Sequence, residues 1–321
     1  RIAYNTGAGW DFDDGNGTIS PAGSLVNAYY LTIEWNGCNE EYPIVSNYPA
    51  RSCYDQNSSG YGDGVGTPNT HLDFVCDHCN INHNTQDGFD LLHTSGSQIV
   101  IKNSTAYANM GQQWKMGAMN SVLFANNMTV HNCQRMSQAI SGAPAGFNAG
   151  LSNYCRAAGE GIRFSLTPGG TYTFENNSFV GYGATSYAIG CSGASCATAQ
   201  LNFQNNLNFA YAIPGEGGLL PGLFYYDNGV TDAVWHNRSN NIYYNFRSCP
   251  TGYSNESCAD PKVLGEPAFA NEAALDGIDF HLTPSSPAID AGIAIPSITL
   301  DFYGQSRPLG GAYDIGAVEQ Q

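Results

Sequence analysis

The sequence predicts an all-β chain wound as a parallel β-helix, a solenoid with a C-terminal cap, in a single domain over residues 1–321. Three observations predict it. First, an Asn-led apolar motif returns about every 24 residues: Cys79-Asn80-Ile81-Asn82, Asn103-Ser104-Thr105-Ala106-Tyr107, Asn127-Met128-Thr129-Val130 and, two periods on, Asn177-Ser178-Phe179-Val180. Looser copies follow at Asn206-Leu207-Asn208-Phe209 and Asn241-Ile242-Tyr243-Tyr244. A fixed return of this length marks a repeat architecture. Second, the copies alternate with short segments such as Gln98-Ile99-Val100-Ile101-Lys102 and Ser121-Val122-Leu123-Phe124-Ala125, which have the period-2 pattern of strands. No run shows the i, i+3, i+4, i+7 spacing that a helical solenoid needs. Third, 38 Gly, 20 Tyr and only 12% charged residues suit a turn-rich β protein.

In chain order, residues 1–70 read as irregular entry coils, with Leu31-Thr32-Ile33-Glu34-Trp35 as a strand. Residues 71–265 read as rungs carrying inserted loops, and 266–321 as the cap. Equivalent residues of successive rungs then stack about 4.8 Å apart. The recurring Asn is structural first, because stacked amides bond along the axis and Asn tolerates the left-handed backbone of a sharp turn. A last rung exposes an open edge, so a compact, proline-rich ending has a physical reason. Ser286-Pro287-Ala288-Ile289-Asp290-Ala291-Gly292, Asp301-Phe302-Tyr303-Gly304 and Asp314-Ile315-Gly316-Ala317 resemble the ending common in bacterial secreted right-handed parallel β-helix proteins.

The formal charge is −16, and Lys102, Lys115 and Lys262 are the only lysines. A nucleic-acid binder needs a basic stripe, so that class is excluded. No stretch reaches the roughly 18 apolar residues of a membrane span, so no membrane insertion is expected. Ten cysteines fall in close pairs, Cys38/Cys53, Cys76/Cys79, Cys133/Cys155, Cys191/Cys196 and Cys249/Cys258, which reads as short-range disulfides of a secreted protein. The alternative at Cys76-Asp77-His78-Cys79 is a zinc site completed by His71 or His83.

The chemistry-bearing stretch is Gly62-Asp63-Gly64, Gln86-Asp87-Gly88-Phe89-Asp90 and Gln113-Trp114-Lys115-Met116-Gly117. Asp63 and Asp87 are one rung apart, Asp90 follows around the same turn, and Lys115 comes about one rung later. Three converging carboxylates repel unless a cation sits among them, and hard oxygen ligands favour Ca²⁺. The pattern resembles that of the calcium-dependent pectate lyases of polysaccharide lyase family nine, over roughly residues 60 to 135. The resemblance implies calcium held by Asp63, Asp87 and Asp90, with Lys115 as the base that removes a proton from a uronate. Where that family usually has a further acidic residue, this chain has Gln86. Arg135 and His93 join the expected site as substrate-binding groups, with Trp114 as a sugar-stacking one.

The leading expectation is therefore a secreted lyase of an acidic, uronate-containing polysaccharide. Two rivals stand beside it. One is a non-catalytic extracellular rod that binds carbohydrate or self-associates into filaments. The other is a glycoside hydrolase using paired acids, with Glu40-Glu41 or Asp11, Asp13 and Asp14 as candidates. The net charge opposes a polyanionic substrate unless calcium reverses the field in the groove.

Overall fold

A computed structural model describes residues 1–5, 7–11, 24–37, 62–66, 71–92, 94, 98–117, 120–132, 159–193, 195–213, 216–250, 252–263 and 280–320. Its strands, numbered in chain order, form three all-parallel sheets. Sheet A holds β1 (Ile2–Ala3), β4 (Thr32–Glu34), β7 (Asn80–Asn82), β10 (Thr105–Tyr107), β13 (Met128–His131), β16 (Ser178–Gly181), β19 (Leu207–Ala210) and β22 (Ile242–Tyr244). Sheet B holds β2 (Trp10–Asp11), β5 (Val65–Gly66), β8 (Phe89–Leu91), β11 (Trp114–Met116), β14 (Glu160–Leu166), β17 (Thr185–Cys191) and β20 (Gly222–Tyr226). Sheet C holds β3 (Leu25–Tyr29), β6 (Asp73–Asp77), β9 (Gln98–Lys102), β12 (Ser121–Ala125), β15 (Thr171–Glu175), β18 (Gln200–Gln204) and β21 (Trp235–Ser239). The chain visits the sheets in the order C, A, B on each turn, and each strand pairs with the strand three places further on. That is a parallel β-helix.

The period-2 pattern explains the sheets. In β9 and β12, paired residue for residue, Ile99 and Ile101 stack on Val122 and Phe124, which point inward. The inner rows continue along the axis: Phe89, Trp114, Ile162 and Tyr187 on sheet B, and Cys76, Ile101, Phe124, Phe174 and Phe203 on sheet C. These side chains form one continuous core. The sheet C row ends on Arg238, whose guanidinium lies over Phe224, Trp235, Tyr243 and Tyr253 and pairs with Glu256 at 2.9 Å.

The turn from sheet C to sheet A carries a buried amide ladder. Asn127 donates through its backbone N–H and Nδ2 to Asn177 Oδ1, Asn177 does the same to Asn206, and Asn206 to Asn241. The second Nδ2 proton goes to the carbonyl of Ile101, Phe124, Phe174 or Phe203. The expected register is corrected at one rung. Ser104, not Asn103, stands in line with Asn127, because Cys79 N–H donates to Ser104 Oγ and Ser104 N–H to Asn127 Oδ1. Asn103 instead occupies the left-handed position (φ 50°), as do Asn126, Asn176, Asn205 and Asn240 in the later rungs. A second ladder, Asn5, Asn36, Asn84 and Asn109, ends on Gln113 at the turn into sheet B.

The C-terminal segment lies along the side of the solenoid. Phe280, Leu282, Ala288, Ile315, Ala317 and Val318 pack on Met128, Val130, Val180, Leu207, Phe209 and Ile242 of sheet A. The left-handed Asn residues donate to its carbonyls: Asn205 to Ile293 at 2.7 Å, Asn240 to Ala291 at 2.9 Å. Arg307 pairs with Glu319 in its buried interior.

Three disulfides, Cys76–Cys79, Cys191–Cys196 and Cys249–Cys258, are formed. The first of them removes the zinc reading, since both Cys76 and Cys79 are bonded, and His83 stacks on Trp35. Cys38, Cys53, Cys133 and Cys155 lie outside the described residues. Among the described residues no helix is long and apolar enough to cross a membrane.

Two predictions follow from this packing. Asn177→Ala removes one rung of the ladder and leaves buried Asn127 donors and the Phe124 carbonyl unsatisfied, so denaturant unfolding should show a loss of about 3 kcal/mol, against almost none for the exposed Gln200→Ala. His131 is fully buried, with neither ring nitrogen hydrogen-bonded among the described residues, and burial lowers its pKa to about 3. A depressed histidine pKa means the unfolded chain takes up the proton first. The native state therefore holds this stability above the unfolded value and loses it as pH falls toward 3. Between pH 7 and pH 5 the wild type should lose about 2 kcal/mol more than His131→Met in unfolding experiments.

Candidate functional site

The outer face of sheet B gathers the charged residues. Trp114 and Met116 point into the core, so Lys115 between them points out. Strand register then sets Gly66, Asp90, Lys115 and Arg163 side by side in one row. Asp11 precedes Gly66 in that row. At the turn entering the sheet, the backbone pairings Gly64 to Asp87 and Gly88 to Gln112 align a second row, Asp63, Asp87 and Gln112.

This second row has a local cause. Asp63 Oδ1 accepts the Asp87 N–H at 2.9 Å, and Asp87 Oδ1 accepts the Gln112 N–H at 2.8 Å, so each aspartate caps the turn of the next rung. Gln112 Nε2 carries the row on to Glu160 at 2.9 Å. The Gly after each Asp follows from rung stacking: a Cβ at Gly64 would sit 2.5 Å from the Gly88 carbonyl, and one at Gly88 2.6 Å from the Gln113 carbonyl.

The four expected residues meet. One oxygen from each of Asp63, Asp87 and Asp90 lies within 4.8 Å of the others. Lys115 Nζ donates to Asp87 Oδ2 at 3.1 Å and to Asp90 Oδ2 at 2.6 Å. Asp87 is fully buried, and Asp63 nearly so. Burial, then the charges of Asp87 and Asp90, push the Asp63 carboxyl well above the ordinary carboxylate range. Burial alone would lower the Lys115 ammonium, but Asp87 and Asp90 outweigh it and hold its pKa above that of an ordinary lysine. The donor set fits a hard divalent cation. It is all carboxylate oxygen, and three carboxylates stand against the one ammonium of Lys115.

The remaining sequence-expected residues divide. Trp114 is corrected: it is fully buried in the core and its Nε1 donates to Thr129 Oγ1 at 2.8 Å, so it offers no face to a sugar. The aromatic–hydrophobic parity of β11 sends either Trp114 or Lys115 outward, never both. His93 and Arg135 lie outside the described residues, as do Glu40, Glu41, Asp13 and Asp14. Sequence reasoning missed Gln112, Glu160, Arg163 and Asp227. Arg163 Nη1 pairs with Glu160 at 3.2 Å and Nη2 with Asp227 at 3.0 Å. Its signal was its place about two periods past Lys115, the same skip that separates Asn127 from Asn177.

Comparison with known protein-family models and with curated proteins finds no match to this chain.

Lys115 supplies the positive charge that a cation would supply, so the two compete. In calorimetric titration, Ca²⁺ should bind Lys115→Met roughly tenfold more tightly than wild type and Asp87→Asn at least tenfold more weakly, a difference of about 1.4 kcal/mol per tenfold. Absence of binding heat in both wild type and Lys115→Met would show that the carboxylates are no cation site.

Proposed function

We propose that the outer face of sheet B binds an acidic polysaccharide and cleaves it by β-elimination in an extracellular setting. The observation that carries this reading is the convergence of Asp63, Asp87, Asp90 and Lys115, from three successive rungs, with Asp63 and Asp87 buried and Asp90 and Lys115 partly exposed. Asp63, Asp87 and Asp90 would hold Ca²⁺, whose charge there eases proton loss next to a uronate carboxylate. Lys115 takes the C5 proton. The C5–H electron pair becomes the C4=C5 bond, the C4–O bond breaks, and the leaving oxygen takes a proton from water. A base must be neutral, and the ion pairs to Asp87 and Asp90 keep Lys115 protonated. Once those carboxylates are engaged elsewhere, burial acts alone and draws the amine down. Arg163, one strand along, presents a planar donor to a substrate hydroxyl. The three disulfides support an oxidising compartment.

A second reading, a non-catalytic carbohydrate-binding or filament-forming rod, draws on the closed state of the same cluster. Lys115 bonded to both aspartates is also what a purely structural ion cluster looks like.

Incubation with a panel of uronans, in Ca²⁺ or EGTA, separates the readings through the ultraviolet absorbance of the new C4=C5 bond. The expected result is Ca²⁺-dependent product lost in Lys115→Ala. No unsaturated product on any uronan would leave the rod reading, and new reducing ends without a double bond would indicate a glycoside hydrolase.

A further inference from the structure

We propose that Tyr225 and the Arg163–Asp227 ion pair form a subsite for a neutral sugar ring. The glycan then runs lengthwise along sheet B and carries neutral units beside its uronates. This rests on the polysaccharide reading above and adds to it a direction and a substrate class.

Tyr225 is 50% exposed, while its neighbours Phe224 and Tyr226 pack on the core, so its ring faces outward. It stands in the row of the charged cluster. Lys115 pairs with Arg163, Arg163 with Ala188, and Ala188 with Tyr225. Three rungs put Tyr225 about 14 Å along the axis from Lys115. The rung between Arg163 and Tyr225 carries only the small, buried Ala188 in this row. Arg163 crosses that rung to reach Asp227, two residues beyond Tyr225, so ring, guanidinium and carboxylate flank one stretch of surface.

Each part suits a sugar. The apolar face of an exposed tyrosine stacks on the C–H face of a pyranose, the guanidinium donates to hydroxyl oxygens, and the carboxylate accepts from hydroxyl protons. Charge selects the kind of ring. Arg163 is already balanced by both Glu160 and Asp227, leaving one negative charge in excess, so a uronate carboxylate here meets repulsion and a neutral ring does not.

The test uses the full chain carrying Lys115→Ala, which prevents turnover, and calorimetry with two oligosaccharides of equal length: a homo-oligouronate and one alternating uronate with neutral sugar. The mixed oligosaccharide should bind at least tenfold more tightly. Tyr225→Ala should abolish that preference, and Tyr225→Phe should keep it. Unchanged binding in Tyr225→Ala, or no binding of either oligosaccharide, overturns the subsite. The lyase reading is scored separately by the unsaturated product. Tyr225-dependent binding without product removes elimination alone, and product formation unaltered by Tyr225→Ala removes the subsite alone.

Discussion

The amide ladder at the turn from sheet C to sheet A is the constraint on which the rest of the structure depends. In Asn177 and Asn206 the side-chain oxygen accepts two bonds from the preceding rung, and Nδ2 bonds both to the next rung and to a strand carbonyl of the rung before. A buried amide so placed has one register in which its groups are satisfied, and a slip of one residue would leave several unpaired. Cys79 and Ser104 carry that register into the rungs of Asp90 and Lys115, and the second ladder, through Asn36, Asn84 and Asn109, ties in the rung of Asp63. Together they set Lys115 beside Asp90 and Arg163, and Asp63 beneath Asp87. The site is a consequence of ladders at the turns of the solenoid.

The aspartate row shows how function and scaffold share residues. Asp63 and Asp87 each accept a backbone N–H from the following rung, as the ladder asparagines accept one from the preceding rung. An Asn in either place would cap the turn equally well and would not build up negative charge. The choice of Asp costs burial of a carboxylate and, beyond that, repulsion from Asp87 and Asp90, which together raise Asp63, and Lys115 offsets only part of it. A scaffold with no use for that charge gains nothing from it, which is the physical argument for a ligand.

Much of this was legible in the sequence, and the limits have definite causes. The period and the alternation of Gln98–Lys102 and Ser121–Ala125 sufficed for the parallel β-helix, because strand parity and repeat length are local properties. The one-residue misplacement of Asn103 arose because two adjacent positions of the same turn both favour Asn, one for its amide and one for its left-handed backbone. Trp114 was misread because an aromatic next to a lysine looks like a sugar platform until strand parity is applied. Arg163 was missed because the long stretch between Lys115 and Glu160 breaks the count of rungs. The tail was recognisable as an ending, but not its seat. The signal for that seat is present in sheet A, where Met128–His131, Ser178–Gly181 and Leu207–Ala210 are buried at every position, whereas Thr105–Tyr107 is buried only at Ala106. Strands buried on both faces need a second covering layer.

The central claim is that the Asp63, Asp87, Asp90 and Lys115 cluster is a cation-gated site rather than a fixed ion pair. A crystal structure of the protein with Ca²⁺ and a uronate oligosaccharide tests it most directly. The account predicts an ion bound to Asp63, Asp87 and Asp90, with Lys115 Nζ withdrawn from both carboxylates and directed at the sugar. Lys115 still bonded to Asp87 and Asp90, with no ion among the carboxylates, would contradict it.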